Sequence, residues 1–222
     1  MKALEGHSET VEYAKFSFDG KLLATGGMNN AIRVWSTEGE EFQLKHAITD
    51  GAVQSDINFL EWHPKGNVFI TGGQDYLIWL YNGVNGAMLQ CLVGHEDQVL
   101  CAKFTVADGG KNIVSSSADK TIRLWNPMQN QCLKVIRNSS LHGVSGKFHE
   151  ADINCFALHH ERPLVVSGDL EGQVFYSHYL TGETGSLLGS HINNVESIVF
   201  SRHTPICVSA GIDPLINVYD LN

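Results

Sequence analysis

A chain of 222 residues, 43% hydrophobic and 18% charged, is long enough to form one large all-β domain or two small ones around a sizeable core. Its net charge of −9, from 24 acids against 15 bases, argues against phosphate-backbone binding as a main activity and suits a basic protein partner. No apolar run approaches the roughly 18 residues that span a bilayer, and Met1-Lys2-Ala3-Leu4-Glu5 holds no hydrophobic signal core, so neither membrane insertion nor secretion is expected.

From the N-terminus onward, the predicted elements are short strands. Val11, Tyr13, Phe16 and Phe18, then Leu22-Leu23-Ala24, then Ile32 and Val34 alternate in part, as half-buried strands do, with Asp19-Gly20 as a turn. Pro64-Lys65-Gly66, Asn85-Gly86 and Asp108-Gly109-Gly110 punctuate the following stretches in the same way. No segment keeps a 3.6-residue period over a helical length, so twenty short strands in five groups are predicted. Cys91, Cys101, Cys132, Cys155 and Cys207 lie in apolar strand-like runs with no CxxC pair and are expected to be buried, reduced thiols.

An internal repeat organises these strands. Residues 23–35 align without a gap on 113–125, and the same frame fits 69–81, 165–177 and 207–219. Each unit ends ten residues after a small hydroxyl residue: Thr25/Trp35, Thr71/Tyr81, Ser115/Trp125, Ser167/Ser177 and Ser209/Tyr219. Successive ends are 46, 44, 52 and 42 residues apart, the period of a four-stranded propeller blade. His7, His149 and His191 stand 28 residues before their unit's end, and His95 stands 30 before.

With Gly6-His7 and Gly94-His95 opening units and Tyr219-Asp220 closing one, the chain resembles the WD-repeat family. That resemblance implies an all-β propeller of four-stranded antiparallel blades, with repeats at about 6–45, 46–93, 94–136, 148–189 and 190–222. It also implies a hydrogen-bonded His, Ser/Thr, Asp and Trp chain inside each blade. By position the third repeat has the full set, His95, Ser115, Asp119 and Trp125. The first has His7, Thr25, Asn29 and Trp35; the fifth has His191, Ser209, Asp213 and Tyr219. The second keeps Thr71, Asp75 and Tyr81 without a histidine at the proper offset, and the fourth keeps His149 and Ser167 with Glu171 and Ser177 at the last two places. Blades with incomplete sets are expected to be less rigid.

Recurring Ser, His and Asp also invite a catalytic-triad reading, but a nucleophile site occurs once, whereas this set recurs in every unit. No catalytic residue, cofactor or metal ligand is therefore expected. His142, His149, His159, His160 and His178 match no zinc spacing. Gly26-Gly27 and Gly72-Gly73 lack the Lys-Ser/Thr of a phosphate loop and are read as relieving crowding on inner strands; Trp62 and Trp79 are read as blade packing.

In WD-repeat propellers the narrow top face carries residues flanking the first apolar position of each inner strand, here Val11, Ile57, Val99, Ile153 and Val195. The implied partner-binding set is Glu12, Asp56, Asn58, Gln98, Leu100, Asp152, Asn154, Asn194 and Glu196, joined by Met28, Gln74, Leu170 and Ile212 from the position before each structural acid. Four acids, no base and a few apolar groups suit a basic segment with apolar anchors; the plain alternative is ordinary solvated loop ends.

Residues 1–5 match an outer strand that would complete the last blade. Five blades leave open a small closed ring, a segment of a larger propeller, or open arcs from two chains. Leu60-Glu61-Trp62-His63-Pro64, Ser177 in the Trp place and Asn217-Val218-Tyr219-Asp220-Leu221 are similar to the angio-associated migratory cell protein subfamily and its fungal members. That likeness implies a non-catalytic, cytoplasmic or also nuclear chaperone for a basic ribosomal-protein segment, without nucleic acid as primary ligand. A general scaffold in signalling, ubiquitin-ligase or trafficking complexes is the alternative.

Overall fold

The computed structural model describes residues 3–28, 31–39, 41–49, 56–138 and 148–222. It divides into two compact units, Met1–Phe104 and Thr105–Asn222. The described residues form strands, turns and bends only, as the repeat spacing predicts.

In the first unit, β1 (Val11–Phe16), β2 (Leu22–Gly27), β3 (Ile32–Ser36) and β4 (Gln43–Ile48) form one antiparallel sheet in chain order. A second follows from β5 (Ile57–Trp62), β6 (Val68–Gly73), β7 (Ile78–Asn82) and β8 (Met88–Leu92). β9 (Val99–Phe104) packs on β5 and β6. The two sheets bury Leu22, Ala24, Ile32 and Val34 against Ile57, Leu60, Trp62, Phe69 and Tyr81. Trp62 reads as predicted: its ring is buried between sheets and its indole N–H donates to the Lys15 carbonyl at 2.7 Å. β1 is exposed along its length, with Phe16 57% accessible, whereas the equivalent β5 is largely buried.

The second unit holds β10 (Ile113–Ser117), β11 (Ile122–Asn126) and β12 (Gln131–Ile136), paired antiparallel in that order. A four-stranded sheet follows from β13 (Cys155–Leu158), β14 (Leu164–Gly168), β15 (Gln173–His178) and β16 (Glu183–Ser190). A three-stranded sheet of β17 (Val195–Phe200), β18 (Ile206–Gly211) and β19 (Ile216–Asp220) ends the chain. Ala157, Val166, Val174, Val195, Ile198 and Cys207 pack between the last two sheets. Nineteen strands are thus described rather than twenty. The difference is at the N-terminus, where exposed Ala3, Leu4 and Glu5 join no ladder; Met1 and Lys2 lie outside the described residues.

None of the five thiols is in a disulfide; Cys207 is fully buried, and Cys91, Cys101, Cys132 and Cys155 are half-buried rather than buried as expected. Burial pushes the Cys207 thiol up to about 12 and the Cys91 thiol up to about 11, so both stay protonated near neutrality.

Two structural details tie sequence to architecture. β1, β5 and β17 each carry a bulge directly after the first apolar residue, so Glu12, Asn58 and Glu196 have no partner in the ladder and are re-aimed. Opposite each bulge the second strand ends in glycine. A Cβ on Gly73 would collide with the Asp56 carbonyl oxygen, and one on Gly27 with that of Thr10. The glycine pairs therefore permit close strand approach, as expected. Gly73→Ala should destabilise the fold by more than about 1 kcal/mol, read as a lower urea midpoint, because the colliding group is backbone and has little freedom to yield.

The buried polar chains and a candidate interaction face

Each repeat places a hydroxyl residue in the middle of its second strand, where it is buried and needs a partner. In the fifth repeat Tyr219 and Ser209 hydroxyls lie 3.2 Å apart, Ser209 Oγ is 2.8 Å from His191 Nε2, and His191 Nδ1 is 2.8 Å from Asp213. Asn217 also donates to His191 Nε2 at 3.2 Å. Nε2 is then the acceptor, and Nδ1–H donates to the carboxylate. The His191 bond and the Ile192 backbone N–H hold the Asp213 carboxyl below the ordinary carboxylate range.

The fourth repeat corrects the sequence assignment. His149 Nε2 meets Ser167 Oγ at 2.8 Å, but its Nδ1 bonds Asp169 at 2.6 Å, whereas Glu171 is exposed. Both partners of that hydrogen bond are sealed, at 0% and 1% exposure. The fifth repeat explains why Asp169 can reach: its equivalent is Gly211, and a Cβ there would lie 3.1 Å from the His191 ring. A carboxylate two residues after the hydroxyl therefore arrives at the same imidazole nitrogen as one four residues after it.

In the first repeat His7 Nε2 lies 2.8 Å from Thr25 Oγ1, and Trp35 donates its indole N–H to the same oxygen at 2.9 Å. Asn29 lies outside the described residues. Arg33 instead donates to His7 Nδ1 at 3.2 Å, so this imidazole carries its proton on Nε2, the opposite tautomer to His149 and His191. Gly6 has φ +142, and a Cβ on it would lie 2.9 Å from Arg33 Nε, which explains the glycine of the opening Gly-His pair.

The third repeat joins Trp125 to Ser115 at 2.8 Å, and Asp119 accepts from Thr121 and pairs with Arg123 at 3.5 Å. His95 is buried within the first unit. In the second repeat, with no histidine before the first strand at the offset of the others, Thr71 donates to the Phe59 carbonyl at 2.9 Å and Asp75 accepts the Trp79 indole N–H at 2.7 Å. Trp79 thus belongs to the polar chain as well as to packing. The Tyr81 hydroxyl is buried without a partner, and so is Ser177 Oγ at the same place in the fourth repeat.

One contributor was not identified from the sequence. The residue eight after each hydroxyl, paired directly across the ladder from it, touches the chain in every repeat: Thr25↔Arg33, Thr71↔Trp79, Ser115↔Arg123, Ser167↔Phe175 and Ser209↔Asn217. Phe175 does so with an edge-on ring contact to His149 at 4.8 Å. Its signal was the fixed offset, hidden because the five residue types differ.

At the bulged ends of the sheets lie the residues expected to bind a partner. In the first unit Glu12, Met28 and Gln74 are exposed, and Asp56, Asn58, Gln98 and Leu100 are half-exposed. In the second unit Leu170, Glu196 and Ile212 are exposed, and Asp152, Asn154 and Asn194 are half-exposed. Backbone bonds bring these residues together in pairs: Met28 N–H to Thr10 O, Leu170 N–H to Asp152 O and Ile212 N–H to Asn194 O, each at 3.1 Å. Each pair sets an exposed apolar side chain beside a polar or acidic segment. Asn58 and Asn154 have other work, donating to the Val99 and Val195 carbonyls of the next sheet at 3.1 and 3.0 Å. Lys120, at φ 66 in the turn after β10, is a base at this end of the third repeat. His142 lies outside the described residues, among which no group of His, Cys, Asp or Glu could hold a metal ion.

The buried chains make separable predictions. Tyr81→Phe and Ser177→Ala remove partnerless hydroxyls and should leave the thermal midpoint unchanged or raise it. Ser167→Ala strands the His149 ring and should cost about 1–3 kcal/mol. Because the native Asp213 pKa is depressed, its contribution is full above the ordinary carboxylate value of about 4 and is lost as pH falls through the lower native value. The gap in stability between wild type and Asp213→Asn should therefore narrow between pH 5 and about pH 2 in urea titrations.

Comparison with known proteins agrees with this architecture. The profile described as "WD domain, G-beta repeat" matches residues 1–36, 44–82 and 86–126, more than half of the chain. The angio-associated migratory cell protein of Canis lupus familiaris is 26% identical over 98% of this chain and 50% of its own length. The Homo sapiens protein of that name is 26% identical over 97% of this chain and 50% of its own length. Autophagy-related protein 16 of Arabidopsis thaliana is 24% identical over 92% of this chain and 37% of its own length. The chain spans about half the length of the first two relatives, or less in the third. Among the described residues no helix is long and apolar enough to cross a membrane. Three profile matches, five equivalent antiparallel groups and a recurrent His–hydroxyl–acid chain assign this protein to the WD-repeat family.

Proposed function

We propose that the chain is a non-catalytic protein-interaction scaffold whose bulged sheet ends receive a basic protein segment. The observation that carries this reading is the pairing of exposed apolar side chains with acidic or polar residues at those ends, Leu170 with Asp152 above all. Glu12 and Glu196 add charge at bulges that direct their side chains out of the ladder. The Ser, His and Asp groups that could have served catalysis are instead spent inside the sheets, the His149–Asp169 pair being closed to solvent.

The likeness to the angio-associated migratory cell protein extends this reading to a chaperone or adaptor for a basic ribosomal-protein segment, in the cytoplasm or also the nucleus. In this organisation the repeats run at about 6–45, 46–93, 94–136, 148–189 and 190–222. A second reading, a general scaffold, draws support from the variety of matched relatives, which include autophagy-related protein 16 and anaphase-promoting complex subunit cdc20.

Salt titration of a fluorescent Lys/Arg-rich peptide with apolar anchors tests the basic-segment reading. Glu12→Lys and Asp152→Lys should each weaken binding several-fold, with thermal midpoints held, and wild-type affinity should fall as salt rises. Binding indifferent to both reversals and to salt would remove the acidic ends from the interaction and leave the general scaffold.

A further inference from the structure

At the opposite end of β13 and β17, two hairpins of the second unit flank an open cavity of about 520 Å³. The hairpins are equivalent: His159 N–H bonds Leu164 O at 3.0 Å, Ser201 N–H bonds Ile206 O at 2.9 Å, and Pro163 and Pro205 occupy the same place. Elsewhere in the chain this hairpin is built from ordinary turn residues with few or balanced charges, as in Asp19-Gly20-Lys21 and Pro64-Lys65-Gly66. Here it carries two guanidiniums, Arg162 and Arg202, with the imidazoles of His159, His160 and His203, against one side-chain carboxylate, Glu161, in a protein of net charge −9. The C-terminal residue Asn222 also lines the cavity.

The cations are not consumed locally. Among the described residues neither Arg162 nor Arg202 has a carboxylate at ion-pair distance. Arg162 Nη2 donates to the Leu221 carbonyl at 3.1 Å and lies 3.5 Å from His159 Nε2, which leaves the other guanidinium nitrogens to the cavity side. His159 has a different task. Its Nδ1 accepts the Glu161 and Arg162 backbone N–H groups, both at 3.1 Å, and its ring lies edge-on to Phe200 at 5.3 Å. Burial, then Arg162 and His160, push its pKa below the ordinary histidine value, in keeping with a neutral ring that shapes the turn. His160 and Arg162 from one hairpin and Arg202 and His203 from the other line the cavity, while the Thr204 hydroxyl donates to Ser201 Oγ at 2.8 Å.

We infer that this cavity binds the phosphate group of a phosphorylated ligand. Two guanidiniums on separate hairpins suit a tetrahedral dianion, which presents oxygens in several directions, better than a single planar carboxylate. The site lies at the other end of the strands from the proposed basic-segment surface and does not depend on it.

The test is a histidine-labelled NMR titration of the full chain with inorganic phosphate, at neutral pH and constant ionic strength. Saturable shifts of the His160 and His203 ring signals are expected, with sodium acetate giving none. Arg202→Gln, an exposed turn substitution, should weaken binding about tenfold or more, and Lys65→Gln in the first unit should leave it unchanged. A phosphoserine peptide that binds tighter than inorganic phosphate, and tighter than its unphosphorylated form, identifies a protein-borne phosphate; equal affinity for peptide and inorganic phosphate identifies the free ion. Absence of saturable shifts, equal shifts with acetate, or an Arg202→Gln variant that binds like wild type in the same dichroism-checked fold would each overturn the inference.

Discussion

A buried hydroxyl on the second strand of every repeat is the constraint around which this structure is arranged. Thr71, Ser115, Ser167 and Ser209 are fully buried, and Thr25 nearly so. A hydroxyl removed from water and left unpaired costs about 1–3 kcal/mol, so each sheet has to bring it a partner. The histidine before the first strand and the aromatic group at the end of the third are the directions from which partners come, and the side chain directly across the ladder braces the histidine or the acid of the chain. Where the histidine is absent the hydroxyl turns to a backbone carbonyl, and the tyrosine that should have closed the chain is left alone.

The acid in each chain also orders the surface. Asp213 binds His191 and accepts the Leu215 and Ile192 N–H groups; Asp169 binds His149 and accepts those of Glu171 and Gln173. The turns stiffened in this way are those that present Ile212 and Leu170 to solvent. Interior polarity and exposed apolar anchors are therefore one construction: the buried carboxylate fixes the turn, and the turn positions the side chain a partner would meet. Preorganisation of this kind lowers the ordering cost of binding.

Charge is sorted along the strands of the second unit. Asp152 and Glu196 stand at one end of β13 and β17, and Arg162 and Arg202, with Glu161, at the other. Strands of this length separate the ends by roughly 15–20 Å, further than a Debye length of about 8 Å at physiological ionic strength. The two ends therefore act as separate fields, and an overall negative charge does not prevent one of them from attracting anions.

The period of about 42–52 residues, the Gly-His openings and the hydroxyl-to-aromatic offset are local properties of the chain, and they determine the all-β architecture, the five groups and most members of the buried chains. Tertiary structure alone decided which side chains meet. Asp169 displaces Glu171 because a Cβ at the end of the second strand points at the imidazole, a direction that spacing does not encode. Arg33, Trp79 and Asn217 join the chains because ladder register sets them opposite the hydroxyls, and Arg33 thereby reverses the tautomer of His7. Glu12 and Glu196 leave the ladder because glycine opposite allows a bulge. Repetition is written in the sequence, but the direction of each side chain depends on backbone pairing, which forms only when the strands are brought together.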